Sequence, residues 1–69
     1  MEHWITMPTG EKFLFEGDDD AADEFERQAY ARHDFAVKYM KEQGWGDDVR
    51  ELTIQQLAHI RKQEGWRRA

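Results

Sequence analysis

From Ala21 to Gln43 the chain contains neither proline nor glycine, so nothing in a run of 23 residues interrupts a helix. That run is one third of a chain of 69 residues. Gly17-Asp18-Asp19-Asp20 supplies the start, because an aspartate caps exposed backbone N–H groups and its charge suits the positive end of the helix dipole. Gly44 supplies the stop by taking a left-handed conformation after the last turn. We therefore expect one helix over 20–43, and everything else must be built around it.

Upstream, His3-Trp4-Ile5-Thr6-Met7 and Lys12-Phe13-Leu14-Phe15-Glu16 are short β-prone runs separated by Pro8-Thr9-Gly10. Gly10 fits the left-handed position of a three-residue hairpin loop, which pairs Met7 with Glu11. In that register Ile5, Met7, Phe13 and Phe15 share one face, and Trp4 meets Leu14 on the other. Downstream, Thr53-Ile54-Gln55-Gln56 fits a capping box that opens a second, short helix closed by Gly65. The expected fold is α+β and mainly helical, a single domain over 1–69 with a hairpin over 3–16, a long helix over 20–43 and a short helix over 54–64. Lys41-Glu42-Gln43-Gly44-Trp45 returns as Lys62-Gln63-Glu64-Gly65-Trp66, and both read as helix stops with a tryptophan folded back on the last turn.

Wound at about 100° per residue, the long helix gathers Asp23, Glu24, Arg27, Asp34, Lys38, Lys41 and Glu42 on one side. The remaining arc spans roughly 220° and is apolar or aromatic apart from Arg32 and Glu26, whereas one core contact needs only about 100°. One strip can cover the hairpin, and a second can take Ile54, Leu57, Ala58 and Ile60 of the short helix. The surplus holds Phe35, Tyr39 and Met40 beside Arg32, the residue types that concentrate at the centres of protein interfaces. A chain this short buries little surface by itself, and it has no cysteine with which to staple the fold. These two facts point to a helix-mediated homodimer and to a protein-binding surface made of Arg32, Phe35, Tyr39 and Met40, with Trp45 and Trp66 at the helix ends.

Charge is unevenly distributed: residues 1–26 carry −8 and residues 27–69 carry +3, for a net −5. The acidic half opposes general affinity for nucleic acid, although Asp18, Asp19, Asp20, Asp23, Glu24 and Glu26 could imitate a row of phosphates. There is no serine and no cysteine, and Thr6, Thr9 and Thr53 are accounted for by strand, turn and cap, so no nucleophile for acyl transfer is in view. His3, His33 and His59 lack the close spacing of zinc ligands, the Asp18–Asp20 run lacks the glycine and distal glutamate of a calcium loop, and no glycine-rich phosphate loop exists. The expectation is a protein without enzymatic activity, metal or cofactor. No apolar run is long enough to span a membrane, and no secretion signal is evident, so a cytoplasmic location is expected.

The architecture as a whole, with Arg32-His33-Asp34-Phe35-Ala36-Val37-Lys38-Tyr39-Met40 as the segment to align first, resembles the small host-takeover proteins of bacteriophages. Within that group it is similar to the anti-activators that Mu-like Pseudomonas phages make against quorum sensing. The resemblance implies an inhibitor of a LuxR-type transcription regulator in the bacterial host cytoplasm, with the ATPase of type IV pilus assembly as a second target. Two other readings are an acidic DNA mimic or anti-defence protein occupying a nucleic-acid site, and a small virion assembly or structural protein.

Overall fold

A computed structural model describes residues 1–64 of the chain. Its elements are β1 (Glu2–Thr6), β2 (Lys12–Glu16), α1 (Asp19–Gln43), a single 3₁₀ turn (Val49–Glu51) and α2 (Ile54–Glu64). The hairpin, long helix and short helix of the sequence reading are all present, each within about two residues of its expected bounds. Gly65 and Trp66, the second helix stop, lie outside the described residues.

β1 and β2 form a two-stranded antiparallel sheet with Ile5 opposite Phe13, Trp4 opposite Leu14 and His3 opposite Phe15. The loop sets this register: Met7 N–H donates to the Glu11 carbonyl (2.7 Å), Gly10 N–H donates to the Met7 carbonyl (2.8 Å), and Gly10 adopts a φ of +99°. Asp18 caps α1, its carboxylate accepting from Ala21 N–H at 2.8 Å. Gly44 ends the helix at φ +78°, with Trp45 N–H donating to the Met40 carbonyl and Gly44 N–H to the Lys41 carbonyl. That pair of bonds satisfies two carbonyls that the helix end would otherwise leave open, and it carries Trp45 back toward the last turn.

The chain clusters into two compact units, one over Met1–His33 and one beginning at Asp34, and α1 contributes to both. In the first, the Phe25 ring lies 5.2 Å from that of Phe13 and 5.0 Å from that of Phe15, over buried Ile5 and Ala22. Tyr30 adds a hydrogen bond from its hydroxyl to the Thr6 carbonyl (2.8 Å). In the second, Ala36, Met40 and Ile60 form the core, with Phe35, Tyr39, Trp45, Val49 and Leu52 packed around it.

α2 departs from the expected packing. Of the four residues assigned to its buried strip, Ile60 is enclosed, but Ile54 is 86% exposed and Leu57 is 37% exposed. The inward stripe is Gln56, Ile60 and Glu64, one residue per turn, and Ile54, Leu57 and Ala58 lie on the other side. The capping box fixes where this helix begins: Thr53 N–H donates to the Gln56 side chain and Gln56 N–H to the Thr53 hydroxyl, both at 3.0 Å. With Gln56 held against the first turn, Ile54 at the head of the helix is directed into solvent.

The 3₁₀ turn was not expected from the sequence. Asp48 makes it by capping Arg50 N–H (3.0 Å) while pairing with the Arg50 guanidinium through both carboxylate oxygens (3.0 and 3.1 Å). Those bonds from the Arg50 side chain, then its backbone N–H, hold the Asp48 carboxyl below its ordinary value of 3.8. A depressed carboxyl contributes fully above its unfolded value and loses that contribution as pH falls through the folded one. Acid titration of Asp48→Asn against wild type should therefore show a stability difference at neutral pH that closes below about pH 4. Thr53→Ala removes one arm of the capping box and should lower stability by about 1 kcal/mol in chemical denaturation.

Candidate functional site

Two surfaces gather chemistry, one in each unit. In the N-terminal unit an open groove of about 470 Å³ has a floor of Met7, Phe15, Ala21, Phe25 and Ala29. Glu24, Gln28 and Arg32 form its rim. Gln28 donates to the Glu24 carboxylate (2.7 Å), which also pairs with Arg27 at 3.0 Å, so the acid on the rim is neutralised locally. The groove exists because α1 brings Ala21, Phe25 and Ala29 to one side, and the two alanines are too small to fill the space beside Phe15. On the outward face of the hairpin, Trp4 is 70% exposed beside Leu14 at 41%.

In the C-terminal unit, the Tyr39 ring lies 6.2 Å from Phe35, 5.9 Å from Trp45 and 5.6 Å from His59. A hydrogen bond of 2.7 Å joins the Tyr39 hydroxyl to His59 Nε2. The helix stop at Gly44 is what makes this cluster possible, because the returning chain lays Trp45 against Tyr39 six residues back. α2 closes it from the other side with His59, next to the buried Ile60.

The residues singled out from the sequence therefore fall in different places. Arg32 is exposed on the groove rim in the first unit, while Phe35, Tyr39 and Trp45 are half-buried neighbours in the second. Met40 is 1% exposed and forms the centre of that unit's core, so it packs the fold and offers no surface in the free chain. Helical spacing alone could not separate Met40 from Tyr39, because both lie within the same wide arc. Trp66 lies outside the described residues. Sequence reasoning placed Ile54 and Leu57 in the buried strip and so missed them as surface residues, and nothing in the spacing of α2 tells its two faces apart.

Among the described residues no polar or charged side chain is buried, and no group of three His, Asp or Glu side chains converges as metal ligands would. His3 Nε2 is 3.1 Å from the Gly17 carbonyl and 3.4 Å from the Asp19 carboxylate, which makes it a donor tying β1 to the start of α1. No helix among the described residues is long and apolar enough to cross a membrane. Comparison with protein families, with characterised proteins and with solved structures finds no match.

Tyr39→Ala should strip three ring contacts from the C-terminal unit and destabilise the chain by about 2 kcal/mol. Tyr39→Phe should cost about 1 kcal/mol, the hydrogen bond to His59 alone. Thermal melts of the two variants measure the difference.

Proposed function

We propose that the chain is a non-enzymatic inhibitor that acts by binding another protein, and that it works as a homodimer. The observation that carries this reading is the apolar strip on α2: Ile54 (86% exposed), Leu57 (37%) and Ala58 occupy one helical face, followed at the same spacing by Arg61. Anchors at i, i+3 and i+4 are the pattern by which a helix seats itself in an apolar groove of a partner. Leaving an isoleucine in water forgoes roughly 1.5 to 3 kcal/mol of transfer free energy, which docking would recover. Further contact residues in this reading are the half-buried aromatics Phe35, Tyr39 and Trp45 of the same unit and, taken separately, Arg32 of the N-terminal unit.

The resemblance to phage anti-activators suggests the partner: a LuxR-type regulator in the bacterial cytoplasm, with the type IV pilus ATPase as the second candidate. Added to a purified LuxR-type regulator, the chain should abolish operator binding at about one equivalent. Ile54→Asp, at a site too exposed to disturb the core, should weaken that inhibition at least tenfold with an unchanged melting curve, on the order of one lost anchor. Full activity of both the regulator and the ATPase in excess chain would refute this assignment.

A second reading is favoured by one observation. Asp18, Asp19, Asp20, Asp23, Glu24 and Glu26 are all exposed at the start of α1, as a phosphate-like row requires. A DNA mimic would compete with nucleic acid for its target, and its affinity would fall steeply with salt.

A further inference from the structure

Among the described residues β2 has a strand neighbour on one side only, which leaves its other edge unpaired in the sheet. The bonds at the two ends of the hairpin fix which groups face that edge. Met7 N–H donates to Glu11 and Gly17 N–H to Met1, which makes 7 with 11 and 1 with 17 hydrogen-bonded positions. Antiparallel ladders alternate, so Ile5 with Phe13 and His3 with Phe15 are the bonded pairs between them. The backbone N–H and C=O of Lys12, Leu14 and Glu16 are consequently directed outward.

Those three positions are symmetric about Leu14, and so is the chemistry of Lys12-Phe13-Leu14-Phe15-Glu16. We propose that two copies of the chain pair β2 to β2, antiparallel about a two-fold axis through Leu14, to form a four-stranded sheet. In that register Lys12 faces Glu16 of the partner copy twice over, Phe13 faces Phe15 of the partner copy, and every outward N–H meets an outward C=O. Phe13, 44% exposed in the single chain, gains an aromatic neighbour at the close, non-hydrogen-bonded type of position. On the outer face the exposed Trp4–Leu14 pair joins its symmetry mate into one apolar row. The sheet also passes from a marginal two strands to four.

The other edge does not offer this. Thr6, whose carbonyl faces outward from β1 by the same alternation, already accepts the Tyr30 hydroxyl at 2.8 Å. The hollow beside β1 is lined by Asp19, Asp20, Asp23 and Glu26, which a second copy would confront with its own acids. Self-pairing of β1 about Trp4 would set Glu2 opposite Thr6, with no charge to match. β2 contains no proline, and the charges that can blunt an edge sit only at its two ends.

This inference rests on the homodimer of the preceding reading, places its seam on β2 and not on the helix face expected from the sequence, and does not depend on the identity of the host target. Light scattering over a concentration series should find a dimer. Lys12→Glu and Glu16→Lys, each placing like charges across the axis, should each weaken it about tenfold, and the double swap should restore it. Because the chain has no native cysteine, Leu14→Cys should give a disulfide-linked dimer on oxidation, whereas Trp4→Cys, with two strands between it and its mate, should not. A wild-type monomer throughout the series would overturn the proposal, as would a dimer indifferent to both single reversals or one cross-linked through position 4. Failure to inhibit the regulator alongside this pattern would remove the target assignment and leave the β2 seam standing.

Discussion

One helix has to serve as a wall for two cores. Near its start α1 contributes buried Ala22 and the Phe25 ring to the hairpin unit, and near its end it contributes Ala36 and Met40 to the unit with α2. Neither core is deep. Among the described residues the buried apolar side chains are Ile5, Ala22, Ala36, Met40 and Ile60, and two of these are alanines that fill little volume. Each unit therefore leans on aromatic rings that are themselves only partly covered, and large apolar side chains remain at the surface of both.

The economy is visible in how the ends of the elements are finished. Asp18, Gly44, Asp48 and the Thr53–Gln56 box each satisfy backbone groups at a helix terminus. In a larger domain such caps are modest additions to a dominant hydrophobic term. Here they act on a small interior, so they weigh heavily in deciding whether the elements form.

This also explains what could be read from the sequence. The hairpin register, both ends of α1 and the start of α2 depend on contacts within a few residues, and Pro8-Thr9-Gly10, Asp18, Gly44 and Thr53-Gln56 declare them. Ile54, Leu57 and Met40 were misjudged because a helical wheel gives the direction of a side chain and not what stands opposite it. The wide arc of α1 was legible, but its division into enclosed Met40 and half-covered Tyr39 depends on Trp45 and His59, which arrive from other elements. The 3₁₀ turn at Val49–Glu51 was hidden for a different reason: Asp48 and Arg50 are two apart, and only a particular backbone turn lets them meet through both carboxylate oxygens.

The capping box on α2 has a consequence for any molecule that takes up its apolar face. Ile54 is the first residue of a helical turn already locked by two reciprocal hydrogen bonds, so its backbone is ordered before an encounter takes place. A flexible segment bearing the same side chains would spend about 1 to 2 kcal/mol per residue on ordering itself. This one is preorganised, so for a partner docking there more of the free energy of desolvating Ile54 and Leu57 would be retained as affinity, and the gain would fall chiefly on residence time.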